Sequence, residues 1–570
     1  MRILHQFLHR LPSGCKPDFL FPAVLSLSFG LTGCGQVKTE AEATPGKAAS
    51  ATTAADVPEQ PIAAVASASP EIRLKVLGRF HHGAFGKSAA EICAYDAASK
   101  RLFVVNGEKL AIDILDLANP ADPKLVKSAM LGEAGWKPNS VASRHGIIVA
   151  AYSTSPKQEP GAAIFLDAEG NKLQSLAVGA EPDMVTISPD GKWVLTANEG
   201  EPTDDYTRDP EGSVSLIDVS GGVDSLTAAN VTTLGFEAFN NPTSRDPRVR
   251  VFGPNATAAQ DFEPEYIAVS PDSTTAWVAL QEANAFAVID LKAKALTKLV
   301  GLGFKDHSQP ENGFDASNKN DAIAIRAWPV KGMYQPDAIA AFDRDGKTYL
   351  ISANEGDHRN FAGFKEDAKV ADLRLDPQAF PNADELQKPK NIGRLMITKT
   401  LGDANGDGLY EELYSFGGRS FSTWSAEGEL IYDSGSEFER MVAARAPQNF
   451  NSDHESNEAK NRSDNKGPEP EGLTVGVIDG RTLGFIGLER QSAILIYDLD
   501  DPKSPRLLDY ATTRDFSQSP KTREAGDLGP EGLTFISADQ SPTGKPLLAV
   551  CYEISSTTVV YEVQGQPSDE

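Results

Sequence analysis

The sequence predicts an all-β protein built from repeated strand units, and three observations support that fold class. Apolar runs of four to six residues recur between Gly, Pro, Asn and Asp, which is typical of short strands joined by tight turns. No long segment has the 3.6-residue apolar period of a helix. An acidic Pro motif begins the clearest repeats, at Glu181-Pro182-Asp183, Glu263-Pro264-Glu265, Gln335-Pro336-Asp337, Glu469-Pro470-Glu471 and Gly529-Pro530-Glu531.

The same predicted elements follow each motif. After the first Pro come an apolar strand at 184–187, a Ser-Pro-Asp-Gly turn at 188–191 and a second strand at 193–197. A third, alternating strand then ends in Asp, as at 214–218. Weaker copies of the unit lie at 89–117 and 138–167, and a degenerate copy lies at 420–433.

The spacing of the motifs predicts how these units assemble. Their acidic positions are 82, 72, 134 and 60 residues apart, which implies blades of about 40 to 50 residues with insertions on one face. A four-stranded sheet cannot bury both faces alone, so radial stacking of seven units, with eight as the alternative, predicts a single β-propeller over residues 72–565 with long loop insertions. Two tandem sandwiches would also be all-β, but they do not explain one recurring motif.

The N-terminal region predicts export. Arg2, Arg10 and Lys16 precede an apolar run at 19–29, which is too short to span a bilayer and is typical of a secretory signal. We therefore expect residues 1–33 to be a signal peptide.

A Leu-Thr-Gly-Cys sequence ends this segment at Cys34 and resembles a bacterial lipobox. In that interpretation Cys34 is lipidated and anchors the chain to the membrane, and Gly35 after it favours the outer membrane. An ordinary cleaved signal with an incidental Cys is the alternative. Residues 34–71 are rich in Ala, Thr and Pro, and we expect them to form a flexible tether.

Charge and cysteine content limit the function classes. The chain has 54 basic and 80 acidic residues, a net charge of −26, which excludes nucleic-acid binding through a basic surface and favours cations or a basic partner. Cys93 and Cys551 are expected to be buried structural residues, with a disulfide between them as the alternative.

Acidic residues recur at two positions of the repeat, before the first strand and after the second. Because first strands line the channel of a propeller, equivalent positions would form rings of carboxylates that repel one another unless cations or Arg side chains such as Arg326, Arg359 and Arg490 neutralise them. The alternative is that these acids cap turns. The two sets are Asp183, Glu265, Asp337, Glu471 and Glu531, and Glu199, Glu282, Glu355, Glu489 and Glu553.

Residues 403–412 have the spacing of a calcium loop. Oxygen side chains stand at positions 1, 3 and 5, Gly408 at position 6 permits the sharp turn, and position 7 offers its carbonyl. Tyr414 stands where an EF-hand has its final Glu, so the last carboxylate comes from one of two neighbouring Glu residues. We predict structural Ca²⁺ here, with an Asx-rich turn as the alternative. The predicted ligands are Asp403, Asn405, Asp407, Leu409, Glu411 and Glu412.

Several motifs resemble those of the choice-of-anchor I family, which includes the mesenchyme-specific cell surface glycoprotein group. Examples are Val-Phe-Gly-Pro-Asn at 251–255, Ala-Asn-Glu-Gly-Asp at 353–357 and Arg-Ser-Asp-Asn-Lys-Gly-Pro-Glu-Pro-Glu-Gly at 462–472. One departure is Cys551-Tyr552-Glu553, where the family pattern has Asn before Glu. The other matching stretches are 259–267, 333–339, 403–408, 418–422, 486–490 and 528–532.

The resemblance implies a WD40/YVTN-like propeller at a cell surface, with an anchor that varies between members. Some relatives are described as alkaline phosphatases, and Glu-Pro-Glu-Gly is similar to a motif of phytase-like propellers, in which clustered carboxylates hold Ca²⁺ ions that bind substrate phosphate. Fold alone does not transfer that chemistry.

Two hypotheses follow. The first is an exported, outer-membrane-anchored, Ca²⁺-stabilised monomer that acts as a scaffold for a protein or surface ligand. The second is a Ca²⁺-dependent phosphoesterase for a small-molecule phosphoester, with a metal-bound water as nucleophile. Its candidate residues are Glu265, Glu355, Glu471 and Glu489 as ligands, Arg359 and Arg490 on the phosphate, and His358 as acid or base.

Paired histidines at 81 and 82 are expected to be solvated loop residues.

Overall fold

The computed structural model describes residues 71–565, which form eight β-sheets. The predicted signal peptide, Cys34 and almost all of the predicted tether lie outside the described residues. Within 71–565, no helix is long and apolar enough to cross a bilayer. The α-helices of this range are α1 (Ala258–Asp261), α2 (Ala383–Leu386) and α3 (Glu437–Arg445). Its 3₁₀ helices are Val223–Ser225, Ala228–Asn230, Glu237–Phe239, Pro242–Ser244, Pro310–Asn312, Val370–Asp372, Pro447–Asn449 and Arg523–Ala525.

The strands of the first half of the described chain follow the predicted repeat. They are β1 (Ile72–His81), β2 (Cys93–Asp96), β3 (Arg101–Asn106), β4 (Ala111–Asp116), β5 (Lys124–Ala129), β6 (Lys137–Arg144), β7 (Ile147–Ser153), β8 (Pro160–Leu166), β9 (Lys172–Ala180), β10 (Pro182–Ile187), β11 (Trp193–Asn198), β12 (Ser213–Asp218), β13 (Val231–Gly235), β14 (Pro264–Val269), β15 (Thr275–Leu280), β16 (Ala285–Asp290) and β17 (Ala295–Gly301).

The second half contains the longest insertions. Its strands are β18 (Phe304–Asp306), β19 (Lys331–Met333), β20 (Ile339–Arg344), β21 (Lys347–Asn354), β22 (Asp367–Lys369), β23 (Met396–Thr398), β24 (Tyr414–Ser415), β25 (Ser420–Ser425), β26 (Leu430–Asp433), β27 (Pro470–Ile478), β28 (Arg481–Leu488), β29 (Ala493–Asp498), β30 (Arg506–Thr512), β31 (Pro530–Ile536), β32 (Leu547–Tyr552) and β33 (Thr557–Gly565).

Seven four-stranded sheets form a closed ring. Their first strands, β2, β6, β10, β14, β20, β27 and β31, each contact the next one, and β31 contacts β2. In chain order these sheets are blades 1 to 7, and blade 7 is completed by β1, which pairs antiparallel with β33. The prediction of an all-β propeller is confirmed.

Blade 5 carries the largest insertions. Residues 355–419 separate its second and third strands, β21 and β25, and join residues 302–338 in the eighth sheet, which has the order β18-β19-β24-β23-β22. The segment 420–433, predicted as a separate degenerate copy, instead supplies the two outer strands of blade 5. The insertion hid this pairing because it breaks the spacing of the repeat.

Apolar side chains fill the spaces between neighbouring blades, and the middle strands are buried on both faces. Every residue of β15 after Thr275 is buried, because blades 3 and 5 cover its two sides. Each fully buried Val, Leu or Phe contributes about 1.5–3 kcal/mol. Cys93 and Cys551 are both buried in one core cluster between blades 7 and 1, and they do not form a disulfide.

His82 closes the seam between blades 7 and 1. Its Nδ1 lies 2.8 Å from Asp113 Oδ2, and its Nε2 lies 2.8 Å from Thr558 Oγ1. Burial lowers the pKa of His82 although Asp113 opposes that shift. The expectation of a solvated His82 was wrong, because the side chain is buried between Asp113 of blade 1 and Thr558 of blade 7.

Candidate cation site at the channel mouth

The two acidic positions of the repeat meet at one end of the channel. In blade 6, Pro470 of β27 pairs with Leu488 of β28. Glu471 and Glu489 each come directly after one of these paired residues, so they lie at neighbouring strand ends. The register shifts directly after this Pro, between Pro470 and Leu473. Such a β-bulge re-aims side chains, and similar shifts occur after the corresponding Pro of blades 2, 3, 4 and 7.

Two members of the first-strand ring were missed by the sequence argument. Glu91 precedes β2 of blade 1, and Asn139 stands in β6 of blade 2. Neither was recognised, because blade 1 has Ala90 in place of the motif Pro and blade 2 has an amide in place of the acid. The second strand ends in Asn in both blade 1 (Asn106) and blade 3 (Asn198). This shared Asn could have been used to align the weak repeat copy of blade 1 with the clear copy of blade 3.

Glu91 is the least satisfied carboxylate of the ring. It is 1 % exposed, and no donor within residues 71–565 bonds to either of its carboxylate oxygens. Burial raises its pKa to about 7, with Glu553 and Asp183 adding repulsion and Lys137 opposing it. One buried oxygen each of Glu471 and Glu531 also lacks a partner in this range. Buried carboxylates without donors are costly, and a bound cation would relieve that cost.

Repulsion continues around the ring. Burial raises the pKa of Asp337 to about 7, with Glu355 and Asp183 contributing. Burial and the neighbouring carboxylates raise the pKa of Glu471 and of Glu531 well above the ordinary value. Because neighbouring buried carboxylates repel one another, each of these carboxyls binds a proton more readily than an exposed carboxyl does.

Basic side chains neutralise the blade 6 side of the mouth. Glu469 accepts from Arg462 Nε at 2.8 Å and from Arg490 Nη2 at 3.0 Å, and the Lys466 ammonium lies 3.1 Å away. Despite desolvation, these three cations hold the pKa of Glu469 well below its ordinary value. Arg462 and Lys466 come from the segment between β26 and β27, which also contains α3.

His454, from the same segment, completes this group. Its Nδ1 lies 3.1 Å from Glu489 Oε1, and Arg490 Nη1 lies 2.9 Å from the same oxygen. Against desolvation, Arg490 and His454 lower the pKa of Glu489 to about 2. Glu489 is therefore an ionised, paired carboxylate, unlike its neighbour Glu471.

Arg359 is buried among acids on the blade 4 side. It forms ion pairs with Asp261 and, at 2.9 Å, with Glu263, and its guanidinium lies 4.8 Å from the centre of the Phe252 ring. Glu265 follows Glu263 by two residues and is buried on β14. Arg359 and Arg490 are thus both engaged by protein carboxylates.

The other sequence candidates lie at different places. His358 is partly buried, the centre of its tilted ring lies 5.0 Å from that of Phe416, and its Nδ1 lies 3.7 Å from Asp357 Oδ1. Arg326 stacks over Trp328 and donates to Asn391, within the inserted region of blade 5.

Groups of carboxylates close enough to hold an ion occur at the mouth and at the loop. At the mouth, Asp337, Glu355 and Glu471 place one oxygen each within 4.8 Å of one another, and Glu355, Glu469 and Glu489 do the same. In the loop, Asp403, Asp407 and Glu411 form a third such group. Two further groups are Glu181, Glu199 and Glu201, and His454, Glu489 and Glu553.

Backbone N–H groups of the loop bond to its own carboxylates. Asp403 Oδ1 accepts from the N–H of Gly406 at 2.8 Å, and its Oδ2 accepts from Gly408 at 2.9 Å. Glu411 faces the loop and accepts from Ala404 N–H at 3.0 Å. Glu412 turns away and pairs with Lys331 at 2.5 Å.

The sequence profile of the choice-of-anchor I domain matches residues 91–502 of this chain. The chain belongs to the choice-of-anchor I family. The resemblance predicted from the motifs is therefore confirmed, and the match contains both carboxylate groups of the mouth that share Glu355, as well as the Asp403 loop.

Two relatives share parts of this choice-of-anchor I sequence. Gigasin-3a of Magallana gigas is 33 % identical over 192 residues, which are 32 % of this chain and 67 % of Gigasin-3a. The mesenchyme-specific cell surface glycoprotein of Strongylocentrotus purpuratus is 26 % identical over 318 residues, 47 % of this chain. The chain spans only 40 % of that glycoprotein.

Two solved structures match this chain with little sequence identity. Hydrazine synthase of Kuenenia stuttgartiensis matches with a TM-score of 0.44 and 12 % identity, covering 85 % of this chain and 98 % of that one. The Cps50 (Swd1) β-propeller domain of Myceliophteria thermophila matches with a TM-score of 0.40 and 8 % identity, covering 86 % and 100 %.

Proposed function

We propose that this protein is a cell-surface scaffold whose propeller binds Ca²⁺ at the acidic mouth of its channel and in the Asp403 loop. The observation that carries the mouth site is Glu91, a buried carboxylate with no donor in residues 71–565, in a ring with the raised-pKa residues Glu471 and Glu531. Carboxylate and carbonyl oxygens are the ligands that Ca²⁺ takes in proteins. The insertions on the same face provide the variable surface for a ligand or partner.

The mouth site is tested by calcium titration of the purified domain after removal of the loop site with Asp403→Ala and Asp407→Ala. This loop variant should still bind Ca²⁺, and Glu471→Gln in that background should weaken the remaining binding at least tenfold. The matched control is Glu427→Gln in the exposed hairpin of blade 5. No calcium binding by the loop variant would refute the mouth site.

Surface anchoring is supported by the predicted signal and by the name of the Strongylocentrotus purpuratus relative, which is a cell surface glycoprotein. We propose that Cys34 carries the lipid and that the propeller faces outward from the outer membrane. Cys34→Ser should move the protein from the membrane fraction to the soluble exported fraction. Unchanged fractionation would refute the lipid anchor.

A calcium-dependent phosphoesterase is the alternative, and the group formed by Asp337, Glu355 and Glu471 favours it. Phosphate binding would depend on the cations, because Arg359 and Arg490 are already paired with carboxylates. Hydrolysis of p-nitrophenyl phosphate should then require Ca²⁺ and be lost in Glu471→Gln. Absence of calcium-dependent turnover excludes this alternative for that substrate.

A further inference from the structure

Two carboxylate groups at the mouth share Glu355 but differ in their neutralising charges. We call Asp337, Glu355 and Glu471 the first triad, and Glu355, Glu469 and Glu489 the second triad. Within residues 71–565, Asp337 and Glu471 form no ion pair with a basic side chain. The second triad, in contrast, is paired with basic side chains at each of its members.

The Lys466 ammonium lies between two members of the second triad, Glu355 and Glu469, whereas the third member, Glu489, is paired with Arg490 and His454. Its Nζ lies 2.5 Å from Glu355 Oε1, 2.5 Å from the Gly356 carbonyl oxygen and 3.1 Å from Glu469 Oε2. Three oxygens match the three N–H bonds of an ammonium. Two carboxylates and a backbone carbonyl are also oxygen ligands of the kind that Ca²⁺ prefers.

The loop that carries Lys466 is fixed in place. Arg419 Nη2 donates to the carbonyl oxygens of Ser463 at 2.9 Å and Asn465 at 2.5 Å. Gly467 has a φ of 70° and donates to Arg462 O at 3.1 Å, which closes the turn. The Lys466 side chain is 9 % exposed, so water does not compete freely for its ammonium.

We propose that the Lys466 ammonium is a built-in cation that occupies the second triad and excludes a divalent ion from it. Lys466 thereby limits the ion content of the mouth, because of the two triads only the first is open to a divalent cation. This inference rests on the proposed function only where it places a calcium ion at the first triad. The occupancy of the second triad follows from the Lys466 contacts.

The test is a count of bound Ca²⁺ per chain by equilibrium dialysis, in the background of Asp403→Ala and Asp407→Ala. Lys466→Met removes the ammonium and keeps the length of the side chain. This variant should bind one more ion than its parent. Lys466→Arg, which keeps the charge, and Lys347→Met, which removes an exposed lysine of blade 5, should bind the same number as the parent.

The outcomes separate this inference from the proposed function. If the parent binds no ion and Lys466→Met binds one, the first-triad site fails and the role of Lys466 stands. An equal count in the parent and a folded Lys466→Met overturns the inference.

Folding of the variant is itself informative. If Lys466→Met unfolds in chelator but folds when Ca²⁺ is added, a divalent ion has replaced the ammonium, as proposed. If Ca²⁺ does not restore folding, the two cations are not interchangeable and the inference is refuted.

Discussion

The carboxylates of the Asp403 loop and those of the channel mouth are held in opposite ways. In the loop, Asp403 accepts backbone N–H groups three to five residues away and remains near solvent. In the mouth, Glu355 pairs with a lysine 111 residues away, and Glu91 is buried without any donor in residues 71–565. Acids satisfied by local backbone cost little, whereas buried acids depend on distant cations.

The largest effect is expected from a substitution that breaks a buried ion pair of the mouth. Arg359→Met leaves Asp261 and Glu263 buried without their cation, and we expect a loss of about 3–5 kcal/mol in the free energy of unfolding. Urea denaturation measures this loss. The control is Arg506→Met, which removes the exposed pair with Glu71 and should cost less than about 1 kcal/mol. Equal losses would contradict the contrast between buried and exposed pairs.

The next-largest effect is the pH dependence of the free energy of unfolding, measured in chelator, that the carboxyls of the mouth cause. The folded-state pKa values of Glu91 and Asp337 are both about 7, above those of the unfolded chain. The folded state therefore binds more protons at weakly acidic pH, and the free energy of unfolding should fall as pH rises from about 5 to about 8.

Saturating Ca²⁺ should reduce this fall, because the ion stabilises the ionised carboxylates. Glu91→Gln should reduce it in chelator as well. Urea unfolding at several pH values measures the slope, and an identical slope in wild type and Glu91→Gln would exclude Glu91 as a contributor.

A smaller effect is expected from the loop. Asp403→Ala with Asp407→Ala should lower the melting temperature by several degrees more in Ca²⁺ than in chelator, because in chelator only hydrogen bonds within the exposed loop are lost. Scanning calorimetry in both conditions tests this. An equal loss in both conditions would mean that the loop is an Asx-rich turn without an ion.

The smallest effect distinguishes two adjacent residues of the loop. Glu411→Gln should remove most of the calcium-dependent rise in melting temperature, since Glu411 lies in the Asp403 group. Glu412→Gln should leave that rise intact, because Glu412 bonds to Lys331 and Tyr414. The opposite order would assign the final ligand to Glu412.

Much of the mouth could be predicted because it repeats. The acidic Pro motif placed Asp183, Glu265 and Glu471 at one strand end, and tight turns defined the strands around them. Glu91 escaped this argument because its copy lacks the Pro. His454 and Lys466 escaped it for a different reason, since they lie between β26 and β27, outside the repeated strands, and no period exists from which to place them.

The sequence by itself determined the all-β class, the repeat and the Asp403 loop, because each depends on residues close together in the chain. Tertiary structure decided that seven blades close the ring, that β1 completes blade 7 and that 420–433 belongs to blade 5. It also decided which acids are neutralised. Coulomb energy depends on distance and burial in space, and Lys466 and Glu355 lie 111 residues apart in the chain but 2.5 Å apart in the folded protein.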